Sequence, residues 1–121
     1  MAWSDDIEEN IKCGLVEILV LKLLSKEDMY GYQIKQEMYA KSNESIDIKE
    51  GSLYGPLYRM LDKGFISAHK EMAGQKRFRN YYHLEPLGRE YLQLAEELFN
   101  DIIGGAKKIM YEVDCDEQRP K

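Results

Sequence analysis

The chain has 121 residues, 44% of them hydrophobic, and a formal net charge of −5. That length suits one domain with a modest core and leaves too little chain for a large enzyme cleft. No apolar run approaches the roughly 18 to 20 residues of a membrane helix, and the acidic start MAWSDDIEEN lacks the basic n-region of a secretory signal. The expected compartment is therefore the cytoplasm.

Charge is unevenly spread. Residues 49–84 carry seven bases against three acids, net +4, inside a chain whose other segments are all acidic. A basic island of this kind is what a polyanion-binding face looks like, the bland alternative being an ordinary solvated loop. Cys13 and Cys115 lie far apart without a CxxC, which fits reduced thiols in a helix and a tail. A redox or metal-sensing role for either is the alternative.

In chain order, Ile7, Ile11, Leu15, Ile18, Leu19 and Leu23 recur at three and four residue spacings, so residues 7–24 are predicted to form one largely buried helix. Trp3 precedes it. Asp28 is a plausible N-cap for a second helix carrying Tyr32, Ile34, Met38 and Tyr39. After a polar turn around Ser42, Asn43 and Ser45, the stretch GSLYGPLYRML begins a third helix at Gly51 or Ser52. Pro56 then falls in or at the edge of its first turn, where a missing N–H costs little, and Ser52 can satisfy an orphan donor. Leu53, Leu57, Met60 and Leu61 line one side, leaving Ser52, Gly55, Tyr58, Arg59 and Asp62 on the other, with Lys63 at its margin.

Past Gly64, a suitable C-cap, the period changes from 3.6 to 2. Ile66 and Ala68 alternate with Ser67 and His69. Phe78, Asn80, Tyr82 and Leu84 then alternate with Arg77, Arg79, Tyr81 and His83 across a turn at Ala73 to Lys76, giving a basic hairpin. From Pro86, Leu87, Tyr91, Leu94, Leu98 and Ile102 follow a near-heptad helical repeat that Gly104 and Gly105 weaken near its end. The expected fold class is mainly α with a small β-hairpin: a winged helix-turn-helix with a long C-terminal dimerisation helix. The DNA-binding unit spans residues 1–85, the dimerisation helix 86–113 and a flexible tail 114–121.

Three segments in order carry a family resemblance, running from about Leu15 to Leu92. GLVEILVLKLLSKEDMYGYQIKQEM resembles the first two helices of the PadR-like transcriptional regulators, GSLYGPLYRMLDKGFI their recognition helix, and RFRNYYHLEPLG their wing strand. Within it Pro56 sits one place later than the family's proline, Leu61 replaces a common glutamate, and Glu85 stands where threonine is usual. The resemblance implies a homodimeric bacterial repressor on a pseudo-palindromic operator, released in many members by a small planar or aromatic effector, and often acting on its own promoter.

On that reading Arg59 and Lys63 on the recognition helix, with Lys76, Arg77 and Arg79 on the wing, suit phosphate contacts. Arg59 is the candidate for a bidentate guanine contact, and Ser52, Tyr54 and Tyr58 supply hydroxyls and flat surfaces. The alternatives are that Tyr54 and Tyr58 pack beside the wing and that Arg59 pairs with Asp62 or Glu50; Lys35 on the second helix is expected to be solvated, a phosphate contact being its alternative. One of Tyr81 and Tyr82 is expected in the core. Leu87, Tyr91, Leu94, Leu98 and Ile102 are the dimerisation residues. The resemblance places an effector groove among Ile7, Ile11, Leu15, Ala95, Leu98 and Phe99, although the same residues are expected first of all to form a dimer core with no ligand. Trp3 either caps such a groove or stays in solvent.

No nucleophile signature, HExxH, GxGxxG or P-loop occurs, so no enzyme and no cofactor is expected. A metal-responsive repressor is a distinct alternative, but Cys13, His69, His83 and Cys115 lack ligand spacing, and no metal site is assigned. A winged helix used only to bind protein is another; the basic wing, Lys76 to Arg79, is the feature that argues for DNA instead.

Overall fold

The computed structural model describes residues 2–112, so the expected tail from Asp114, with Cys115, lies outside the described residues. Among them the order is α1 (Ala2–Lys12), α2 (Leu15–Leu24), β1 (Met29–Tyr30), α3 (Gly31–Lys41), α4 (Glu50–Asp62), β2 (Ile66–Met72), β3 (Phe78–Leu84) and α5 (Pro86–Tyr111).

The single first helix is two helices. Gly14 adopts φ +88°, a left-handed conformation that glycine reaches without strain, and it breaks the chain between α1 and α2. The apolar spacing runs on through the break, so periodicity alone could not find it. Only α2 enters the core, through Val20, Leu21, Leu23 and Leu24. Ile7 and Ile11 on α1 are 54% and 65% exposed, contrary to the expectation of a buried face, and Trp3 lies within α1 at 75% exposure. Cys13 sits in the exposed turn after α1 rather than in a helix.

Asp28 does not cap the next helix, because a two-residue strand intervenes and Tyr30 takes the N-cap position of α3. Met29 pairs with Tyr82 and Tyr30 with Tyr81, so the hairpin gains a third strand and the sheet order is β1-β3-β2. Two residues are too few to write an alternation. In the hairpin itself Ile66 faces Leu84 and Met72 faces Phe78. Tyr82 and Leu84 are buried at its root, whereas Phe78 is 64% exposed, so the far half of the wing projects beyond the core.

Helix α4 starts at Glu50, with no side-chain cap, one residue before the expected start. Pro56 consequently falls in the second turn, not the first, and Ser52 is a helical residue instead of a cap. Packing of Leu53, Leu57 and Met60 carries the helix through the missing N–H. Its end is a Schellman turn: Gly64, at φ +78°, donates to the Leu61 carbonyl and Phe65 to that of Met60. Helix α5 takes Pro86 at its first turn and runs unbroken through Gly104 and Gly105. Gly88 lets α5 lie directly against the Phe65 carbonyl, which an added Cβ would overlap and which accepts the Glu85 N–H. Leu21, Ile34, Leu53, Leu57, Met60 and Leu84 form the centre of the core, joining α2, α3, α4 and the sheet.

Candidate nucleic-acid interface

Burial of Leu53, Leu57 and Met60 fixes the rotation of α4, so Ser52, Gly55, Tyr58, Arg59 and Asp62 face solvent together. Tyr58 is 64% exposed and its ring stacks on that of Tyr54, 6.3 Å between centroids. Tyr54 is half-buried, its hydroxyl lying 3.4 Å from where a Cβ on Gly31 would be. Arg59 is paired with neither Asp62 nor Glu50. Its Nε donates to Oε2 of Glu17 on α2 at 3.0 Å, because α4 crosses α2 at this turn. Lys63, just past α4, sits over the Phe65 ring at 5.9 Å.

The wing divides its bases between two environments. Lys76 and Arg77 are exposed in the turn, which the Ala73 N–H closes on the Arg77 carbonyl. Arg79 is half-buried instead, its guanidinium 4.2 Å above the Tyr30 ring, and Tyr30 meets Tyr81 edge to face. A cavity of about 300 Å³ opens between α3, α4 and β3, lined by Tyr30, Tyr32, Tyr54, Tyr82, Arg79 and Asn80. Burial, with Tyr54 and Tyr58 nearby, pushes the Tyr82 phenol above its ordinary value. Tyr82 is the core member of the tyrosine pair. The sequence expectations did not include Tyr30, Tyr32 and Asn80 here; the one available signal was the Tyr-Gly-Tyr at the start of α3.

The two histidines, scattered in sequence, meet at one carboxylate. Nδ1 of His83 donates to Asp28 at 2.8 Å, while Nε2 of His69 bonds Glu71 at 2.7 Å and lies 3.9 Å from Asp28. Among the described residues no group of three or more such side chains has the geometry to hold a metal ion. Lys35 is not simply solvated: it bonds Asp47 at 2.9 Å, and that bond and charge hold the Asp47 carboxyl below its ordinary value.

On the side of α2 away from α4, a groove of about 340 Å³ runs between α2 and α5. It brings together Leu15, Ala95, Leu98 and Phe99, as expected for the effector set, but not Ile7 and Ile11, which α1 carries away from it. Of the dimerisation set, Tyr91, Leu94, Leu98 and Ile102 line the groove, all at least 38% exposed. Leu87 stands apart near Gly64. No helix among the described residues is long and apolar enough to cross a membrane.

Helix α4, with a buried apolar side and a polar outer face, packs with α2 and α3 beside a basic hairpin and is followed by a long helix, which defines a winged helix-turn-helix domain. The family model for the PadR-like transcriptional regulators matches residues 20–94. A protein of Lysinibacillus sphaericus is 34% identical over 92 residues, covering 75% of this chain and 84% of that one. A transcriptional regulator structure from Clostridium thermocellum aligns with TM-score 0.74 at 29% identity over 82% of this chain and 93% of that one. The structure of Bacillus subtilis PadR in complex with operator DNA aligns with TM-score 0.61 at 25% identity, over 65% of this chain and 45% of that chain. The chain belongs to the PadR-like family of transcriptional regulators.

Proposed function

We propose that this protein is a cytoplasmic, non-enzymatic homodimeric repressor that binds a pseudo-palindromic DNA operator. The observation that carries the reading is the solvent face of α4, where Ser52, Tyr58 and Arg59 stand free of the core beside a wing turn bearing Lys76 and Arg77. The operator complex of the Bacillus subtilis relative supports it. In this reading α4 enters the major groove and the wing follows the backbone. Ser52, Tyr54, Tyr58 and Arg59 face base edges and nearby phosphates, while Lys63, Lys76, Arg77 and Arg79 serve the backbone.

The chain divides by role into a DNA-binding unit, residues 1–85, and a dimerisation helix from residue 86. Exposed Leu94, Leu98 and Ile102 on α5, together with Ile7 and Ile11 on α1, supply an apolar surface that a second copy covers. Two recognition helices roughly 34 Å apart then reach successive turns of one DNA face, and the bound dimer represses by blocking polymerase. A small aromatic effector in the α2/α5 groove favours a dimer with a different separation, and the two half-sites no longer match.

The test is selection of binding sites by the purified protein from a random-sequence duplex pool. Enrichment of one two-fold symmetric sequence is the expected outcome, and a pool that stays random after repeated rounds refutes specific DNA recognition.

A further inference from the structure

Arg59 is the only base within α4, and it is not loose. Its Nε is held 3.0 Å from Glu17, whose side chain keeps 20% exposure while that of Arg59 keeps 59%. The carboxylate is thus the enclosed, fixed partner and the guanidinium the outward one. A guanidinium presents its donors in a rigid planar fork, so engaging Nε fixes the plane and leaves the two Nη groups for another acceptor pair. Gly55, one turn earlier, leaves the surface beside that fork open. A Cβ there would lie 3.6 Å from Arg59 Nη1 and meet nothing else within contact range.

A carboxylate here does not serve to attract DNA. It neutralises the nearest cation and repels phosphates, whereas Lys76 and Arg77, exposed in the wing turn, are suited to backbone attraction. What a fixed carboxylate supplies is orientation: a planar fork that reads O6 and N7 of a guanine gains discrimination when its plane is set in advance.

We propose that Glu17 is a positioning residue for sequence reading, its carboxylate fixing Arg59 through Nε so that the Nη edge faces a guanine. This rests on the DNA-binding reading above. It names a residue outside the recognition helix, on a helix that does not enter the groove, as a determinant of specificity.

The experiment measures affinity for the duplex selected by the wild-type protein and for its scrambled counterpart, with Glu17→Ala, Glu17→Gln and Arg59→Ala. Glu17→Ala is expected to lower the selected-to-scrambled ratio about a hundredfold, roughly tenfold for the bidentate pair in each half-site of the dimer, without weakening binding to scrambled DNA. Glu17→Gln keeps an acceptor for Nε and is expected to retain most of the ratio. In an Arg59→Ala background Glu17→Ala is expected to cause no further drop. An unchanged ratio for Glu17→Ala, or a full additional drop on top of Arg59→Ala, overturns the proposal. If Glu17→Ala does not fold, the Arg59 Nε–H signal of the free wild-type protein decides by nuclear magnetic resonance: restricted guanidinium rotation supports the anchor, free rotation overturns it. Failure of the wild type to select any sequence would instead defeat the DNA-binding reading itself.

Discussion

Replacing both Lys76 and Arg77 by alanine isolates the wing's electrostatic contribution, since both lie exposed in the turn and the core does not include them. Each phosphate left without its neutralising cation takes roughly 0.9 from the slope of log affinity against log salt. Two cations on each wing and two wings in the dimer make the slope shallower by roughly 3.6. Between 50 and 200 mM salt the wild type should therefore weaken roughly 150-fold more than the double variant. Fluorescence anisotropy across a salt series reads the two slopes, on selected and on scrambled DNA alike, because phosphate contacts carry no sequence information. Equal slopes for variant and wild type would refute the placement of the wing turn on the backbone.

Leu98→Glu puts a carboxylate on the exposed apolar face of α5 and is expected to yield a monomer by analytical ultracentrifugation, with a folded far-ultraviolet spectrum; an intact dimer would contradict the assigned surface. Gly88→Ala drives a methyl group into the backbone carbonyl of Phe65 and to 2.7 Å from Leu84, so thermal denaturation should show a destabilisation of about 2 kcal/mol or more, where an exposed helical glycine would gain stability. The phenol of Tyr82 is raised above its ordinary 10.0 by burial, so its contribution is complete below about pH 10 and declines as pH rises through the folded-state value. Urea titrations at alkaline pH should show that decline, and Tyr82→Phe should remove part of it.

Helix α5, the wing and the buried face of α4 were legible because each writes a long periodic pattern: 3.6 residues for Leu53, Leu57 and Met60, two for Tyr82 and Leu84. The break at Gly14 was not, since Ile11 and Leu15 keep helical spacing across it and only the backbone reveals the turn. Strand β1 was missed for the opposite reason: Met29 and Tyr30 take their strand geometry from pairing with Tyr82 and Tyr81, which are remote in sequence. The basic residues of the proposed DNA face could be picked out from charge and position alone. Their partners could not. Glu17 lies 42 positions from Arg59, and Tyr30 far from Arg79, so both pairings exist only once the core has set the crossing of α2 with α4 and the pairing of β1 with β3.

The most direct test of a DNA-binding repressor is fluorescence anisotropy of the purified protein on DNA from immediately upstream of its own gene, against a scrambled duplex over a salt series. Tight, salt-dependent binding that prefers the native fragment is the expected result for a self-regulating repressor. Absence of binding to either duplex at low salt would contradict it, and would assign the basic wing to a protein partner.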